Sequence, residues 1–120
     1  MAMEQIKSFQ NSYVKKIRSL KYKKYRQREK LFWAEGIRNV FEAIGNRWEI
    51  DSLVYSPELL RSDHARNLLK ETAIRSIPVS KAVFERIAIG ELPQGMGAVI
   101  KLKREHTFEN ILPKKNGFYI

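Results

Sequence analysis

The sequence contains no cysteine. That excludes a disulfide scaffold, a thiolate metal site and a cysteine nucleophile. Its two histidines, His64 and His106, are too few for a histidine-rich metal centre. No apolar run approaches the roughly 18–20 residues of a membrane span. The N-terminus lacks the apolar stretch of a signal peptide. No repeat or low-complexity segment breaks the pattern. A soluble cytoplasmic protein is therefore expected. Catalytic signatures are equally scarce. Gly95-Met96-Gly97 begins a dinucleotide fingerprint, but Ile100 stands where its third glycine belongs, and the loop precedes a strand instead of following one. There is no Walker A sequence and no G-x-S-x-G elbow. His64 sits at a helix start and His106 in a polar stretch, with no partners for a triad. Glu35, at the end of an expected strand, is a lone carboxylate. No catalytic residue, metal site or cofactor site is predicted within the chain.

What the chain does have is positive charge in one place. It has 120 residues, 43% of them hydrophobic and 30% charged, a globular composition of about one domain's length. The formal net charge is +10, from 23 basic and 13 acidic residues. Residues 1–30 hold ten of the basic residues and only two acids, so four-fifths of the excess lies in the first quarter. Such a field attracts a polyanion, whether RNA, DNA or an anionic membrane surface. The alternative is a solvated basic tail without a specific partner.

The hydrophobic pattern sorts into alternating elements. Tyr13, Val14, Ile17 and Leu20 form one helical stripe within residues 12–20, with Lys15, Lys16 and Arg18 on the other side. Lys21 and Lys24 interrupt that stripe, which predicts a bend near Leu20–Lys21 and a short second helix to about Arg28. Leu31-Phe32-Trp33-Ala34 reads as a buried strand, followed by a turn at Gly36. Ile37, Val40, Phe41 and Ile44 mark a helix stopped by Gly45-Asn46. Ile50 to Tyr55 is a second strand. Ala65, Leu68, Leu69 and Thr72 mark a helix capped by Ser62 or Asp63. Ile74 to Val79 is a third strand. Ser80 caps a helix bearing Val83, Phe84, Ile87 and Ala88. After a loop from Gly90 to Gly97, Ala98 to Leu102 is a fourth strand. Such alternation predicts an α/β fold: a three-layer α/β/α sandwich with a mostly parallel four-stranded sheet, preceded by a basic helical segment. Residues 103–117 read as a polar linker, and Phe118-Tyr119-Ile120 as the opening of a further strand.

Nucleic-acid signals are concentrated between residues 15 and 28. Cations there interleave with Tyr22 and Tyr25. Lysine and arginine bind phosphates and release counterions, while tyrosine rings stack on exposed bases. Equally, the two tyrosines would serve to anchor the short helix to the domain. A membrane-surface helix wants a wider apolar face than this stripe supplies, so membrane binding ranks last. The candidate RNA contacts are Lys15, Lys16, Arg18, Lys21, Lys23, Lys24, Tyr25, Arg26 and Arg28, with Arg38 at the start of the next helix, where a helix N-terminus favours phosphate. Gln94 and Gly95 are weaker candidates, Gly95 reading first as a turn glycine.

In order along the chain, these residues resemble the N-terminal substrate-binding domain of the SpoU/TrmH family of RNA ribose 2′-O-methyltransferases. Asn11 with Val14-Lys15-Lys16-Ile17-Arg18-Ser19-Leu20 looks like the family's opening helix. Lys24-Tyr25-Arg26 followed by Phe32-Trp33-Ala34-Glu35-Gly36-Ile37-Arg38 looks like its K-[YF]-R … F-x-x-E-G-x-[RK] signature. Val83-Phe84 through Ile87, then Pro93-Gln94-Gly95 and Ala98-Val99, looks like its closing segment. The likeness spans residues 11–100. Two departures stand out: Ile89-Gly90-Glu91-Leu92 replaces a more polar loop, and Trp33 stands where a smaller aliphatic is common.

The resemblance implies a fold similar to ribosomal proteins that bind RNA kink-turns, followed by a linker and a knotted SPOUT catalytic domain. It implies S-adenosylmethionine as methyl donor, rRNA or tRNA as substrate, and a homodimer formed through that catalytic domain. All of the family's catalytic and cofactor-binding residues lie in that domain, so none transfers to residues 1–120. The expected organisation is thus a basic helical segment at 1–30, an RNA substrate-binding domain at 31–102, a linker at 103–117 and the start of a missing catalytic domain at 118–120. The chain itself would hold RNA without catalysing methylation. The alternative is a free-standing RNA-binding adaptor of the kink-turn ribosomal type.

Overall fold

In the computed structural model, which describes residues 4–102, Asn11 opens the first helix. Its side-chain oxygen accepts from the backbone N–H groups of Tyr13 at 2.8 Å and Val14 at 3.2 Å, satisfying donors that a helix start leaves orphaned. Helix α1 runs Ser12–Ser19 and buries Val14 and Ile17. The chain bends where the apolar stripe fails, and α2 follows at Lys23–Glu29. Lys30, in the left-handed conformation with φ 58°, ends it and turns the chain into β1, Leu31–Glu35. Gly36, with φ 100°, makes the turn into α3, Ile37–Gly45. Then come β2 (Ile50–Tyr55), α4 (Asp63–Glu71), β3 (Ser76–Pro78), α5 (Lys81–Ile87) and β4 (Met96–Lys101). Ser62 caps α4 through Ala65 N–H at 3.1 Å, and Ser80 caps α5 through Val83 N–H at 3.2 Å.

Each predicted element forms, but the sheet is mixed, not mostly parallel. Its order is β1-β4-β2-β3. β2 and β3 are parallel, whereas β4 runs antiparallel to both β1 and β2. The path of α5 explains this. Its seven residues, about 10 Å long, do not carry the chain back along the length of a five-residue strand, about 17 Å. The helix begins beside the β3 edge, where Ser80 N–H donates to the Ile6 carbonyl. The chain just beyond it meets the end of β1, where the Ile89 and Gly90 N–H groups donate to the Glu35 carboxylate. The helix therefore crosses the width of the sheet at one end of the strands. The following strand starts from that same end, and only an antiparallel β4 does so.

Helices cover both faces. On one face α1 and α5 pack Val14, Ile17, Leu20, Val83, Phe84 and Ile87 against Leu31, Trp33, Val54, Ile77 and Val99. On the other, α3 and α4 bring Val40, Ala43 and Ala65 to Phe32, Ala34, Leu53, Met96, Ala98 and Ile100. Alternate residues of β1 thus point to opposite layers. The boundary at residue 30 marks a change in charge and not in packing, because α1 belongs to the core. Ile6 adds a parallel bridge beside Val79 and covers the β3 edge. Trp33 is accommodated by Gly97 on the neighbouring strand: a Cβ there would overlap Cζ2 and Cη2 of the indole. The expected linker at 103–117, with His106, and the run Phe118-Tyr119-Ile120 lie outside the described residues.

Candidate nucleic-acid interface

Helix α1 has one face in the core and one in water. Val14, Ile17 and Leu20 anchor it, while Lys15 and Lys16 are exposed and Arg18 is half-buried. Across the bend, Arg26 is 4% exposed, and its Nη1 donates to the Leu20 carbonyl at 2.9 Å. That bond closes the bend by satisfying a carbonyl at the end of α1. Desolvation lowers the Arg26 pKa below the ordinary arginine value, and the group stays protonated near neutral pH because that value is so high. Arg26 shapes the surface from beneath; it does not present a face to a ligand.

The other cations of this segment point outward. Lys21, Lys23, Lys24, Arg28 and Lys30 are exposed. Glu29, the one acid between residues 12 and 30, meets Lys16 Nζ at 3.6 Å and Arg28 Nε at 3.3 Å, tying α1 to α2. A single carboxylate leaves the patch strongly positive. The two tyrosines separate in role. Tyr25 is half-buried, with Arg28 Cζ 4.5 Å and Lys24 Nζ 5.0 Å from its ring centre. Tyr22 is 56% exposed and meets Tyr25 edge-on at 6.3 Å. Anchoring by aromatic burial therefore describes Tyr25 better than Tyr22. Lys30 was absent from the sequence-based set, although it continues the same cationic run.

Arg38 stands apart. It lies in the first turn of α3, exposed and paired with Glu42 at 3.4 Å. The five residues of β1, about 17 Å of strand, separate it from α2, and α3 packs on the face opposite α1. The structure does not bring it to the N-terminal patch. The N-terminus of α3 is capped from within: Gln94 Oε1 accepts from Ile37 N–H at 2.9 Å. Gly95, at φ 90°, runs so close to Leu59 and Leu60 that a Cβ would sit 2.8 Å from their atoms. Glu35 is similarly committed. It is 8% exposed and accepts from Trp33 Nε1 at 3.1 Å, Ile89 N–H at 2.7 Å and Gly90 N–H at 3.2 Å. Glu35 and Gln94 thus hold the loop between α5 and β4 against the β1–α3 turn, and Gly95 packs the same loop against the segment before α4.

Among the described residues, the side chains that suggested catalytic chemistry do not converge. His64 stacks on Phe41 with ring centres 4.4 Å apart and an interplanar angle of 8°, joining α4 to α3. Among the described residues no cluster of three or more His, Asp or Glu side chains is placed to hold a metal ion. A cavity of about 250 Å³ lies between the end of β2 and α4, lined by Tyr55, Pro57, Leu60, Arg66, Leu69 and Lys70. The Arg66 guanidinium there donates to the Leu60 and Pro57 carbonyls. No helix among the described residues is long and apolar enough to cross a membrane.

The family model of the MRM3-like substrate binding domain matches residues 11–98. No curated protein matches the chain by sequence. Solved structures do match it. An RNA 2′-O ribose methyltransferase superposes with a TM-score of 0.75 at 20% identity, over 86% of this chain and 39% of that one. An rRNA methyltransferase from Sinorhizobium meliloti gives 0.65 at 27% identity, over 83% and 37%. The SpoU methyltransferase AviRb from Streptomyces viridochromogenes gives 0.67 at 20%, over 85% and 37%. The chain therefore spans less than two-fifths of the length of each of these proteins.

Proposed function

We propose, for a chain that belongs to the family of MRM3-like substrate binding domains, that it captures RNA for a SpoU/TrmH-type 2′-O-ribose methyltransferase. The observation that carries this reading is the set of exposed cations, Lys15, Lys16, Lys21, Lys23, Lys24 and Arg28, on two helices tied to the core and on the bend between them. Lysines held this way meet a phosphate backbone without first being ordered, which lessens the entropy lost on binding. The chemistry itself belongs to a catalytic domain that follows this one in a longer protein. Supporting that, the solved relatives run to more than twice this chain's length, and the Sinorhizobium meliloti enzyme is also known with AdoMet bound. On this reading the longer protein takes its methyl group from S-adenosylmethionine, dimerises through the catalytic domain and works in the cytoplasm on rRNA or tRNA. A free-standing adaptor finds less support, since the matched structures are methyltransferases.

The test is RNA affinity as a function of salt. For the 120-residue chain, log Kd should rise steeply with log salt, by about 0.7–0.9 for each phosphate contact. Reversing Lys15, Lys16, Lys23 and Lys24 to glutamate should weaken binding by several kcal/mol, on the order expected for four such contacts, and flatten the slope. Unchanged affinity and slope would overturn the assignment.

A further inference from the structure

We propose that Tyr22 is a stacking platform for one unstacked nucleobase, so that the domain favours RNA carrying an unpaired segment over fully paired RNA. This rests on the RNA-holding reading above and deepens it.

Three observations carry the proposal. First, Tyr22 is one of only three large hydrophobic side chains strongly exposed among the described residues; the others, Ile89 and Leu92, lie in the loop before β4. Tyr22 alone of these sits within the cationic patch. Second, its backbone is fixed while the residue is more than half exposed. The Tyr22 N–H donates to the Ser19 carbonyl at 3.0 Å, and its own carbonyl accepts from Tyr25 and Arg26 N–H groups, each at 3.1 Å. The ring therefore projects from a pinned position at the bend, and a base stacking on it restricts few further torsions. Third, its surroundings supply the rest of a nucleotide site. Tyr25 supports the ring edge-on, and Lys21 Nζ lies 5.8 Å from its centre. A base on Tyr22 would leave its phosphate among lysines.

The division between the two tyrosines follows. Tyr25 already has Lys24 and Arg28 near its ring, so it acts as the support. Tyr22, with Lys21 Nζ at 5.8 Å and the greater exposure, has ring surface to offer. A paired duplex keeps its bases stacked on one another and presents backbone instead, so this ring distinguishes unpaired from paired RNA.

The test compares Tyr22→Ala, Tyr22→Phe and Tyr22→Trp in the 120-residue chain. The probes are a hairpin with an unpaired loop carrying 2-aminopurine and a blunt, loopless duplex capped at both ends. Tyr22→Ala should weaken hairpin binding about 5- to 150-fold, the range for one lost base–aromatic stack. It should leave duplex affinity and the salt slope unchanged, since no charge is removed. Phenylalanine and tryptophan should retain hairpin binding, and 2-aminopurine fluorescence should be quenched by the wild type but not by Tyr22→Ala. An unchanged urea midpoint separates a lost contact from a lost fold. Hairpin affinity within two-fold of wild type, or equal losses on hairpin and duplex, would overturn the stacking role while leaving RNA capture intact. Failure of the wild-type chain to bind either RNA at low salt would overturn both.

Discussion

Replacing Arg26 with alanine sets the structure against a simple reading of charge. Within a run of cations, Arg26 looks like another phosphate contact, yet the folded chain spends its guanidinium on the Leu20 carbonyl. Truncation leaves that buried acceptor without its charged donor, which costs about 1–3 kcal/mol. It also exposes or empties the space of three buried methylenes, at roughly 0.8 kcal/mol each as an upper bound. Releasing the charge from a desolvated position returns part of this. A net loss of about 2–4 kcal/mol follows, large against a domain stability of roughly 5–15 kcal/mol. With a urea m-value of about 2 kcal/mol/M, the middle of the usual range, the midpoint should fall by about 1–2 M. RNA titrations below the melting transition should show an unchanged salt slope. Lys15→Ala, on an exposed position, should do the reverse: lower the slope by about 0.7–0.9 and leave stability within about 0.5 kcal/mol. If Arg26→Ala lowered the slope and left the midpoint in place, the packing role would be refuted.

Gly97→Ala should destabilise the domain by about 1–3 kcal/mol through overlap with the Trp33 indole, and Trp33→Leu in the same chain should relieve that overlap; a double-mutant cycle by urea denaturation that proved additive would rule the overlap out. Glu35→Ala removes the acceptor of Trp33 Nε1 and of the Ile89 and Gly90 N–H groups, so stability should fall by roughly 2–4 kcal/mol and amide exchange should accelerate in the loop before β4; protection unchanged at those amides would contradict the latch. Deleting residues 1–22 removes Val14, Ile17 and Leu20 from the core, about 1.5–3 kcal/mol each. The shortened chain should therefore lack a cooperative thermal transition by circular dichroism, whereas a basic segment outside the core would be dispensable.

The order and kind of elements were legible because their signals are local. Stripes at 3.6 residues, caps at Ser62 and Ser80 and the stop at Gly45-Asn46 act within a few positions of one another. The direction of β4 was not legible. Parallel or antiparallel depends on where α5 delivers the chain, and that depends on the hydrogen bonds from Ile89 and Gly90 to Glu35, more than fifty residues away. The role of Arg26 was hidden for a different reason. The half-buried and buried positions of α2 are Tyr25, Arg26 and Glu29, so its inward face is built from long polar side chains. A count of hydrophobic periodicity is blind to such a face, because the apolar stem of arginine packs while its head reaches a carbonyl. A signal did exist: Arg26 follows a helix end at Leu20 by six residues, across a bend that leaves a carbonyl in need of a donor. Trp33 with Gly97 is a similar case, each unusual alone and explained together.

The same geometry decides between a bound surface and a solvated tail. A tail gains its charge density cheaply but loses it to chain entropy whenever a ligand orders it. Here α1 is held by three core side chains, α2 is bound back to it by Arg26 and by the Lys16–Glu29 pair, and Lys15, Lys21, Lys23 and Lys24 stay exposed. The core residues of α1 and its lysines alternate within one short helix, so neither set moves without the other. Folding the sheet domain therefore builds the cationic surface at the same step. A substitution at Val14 or Ile17, which touches no ligand, acts on RNA binding through the placement of Lys15 and Lys16, whereas a substitution at Arg38, on the far face, leaves that patch as it is.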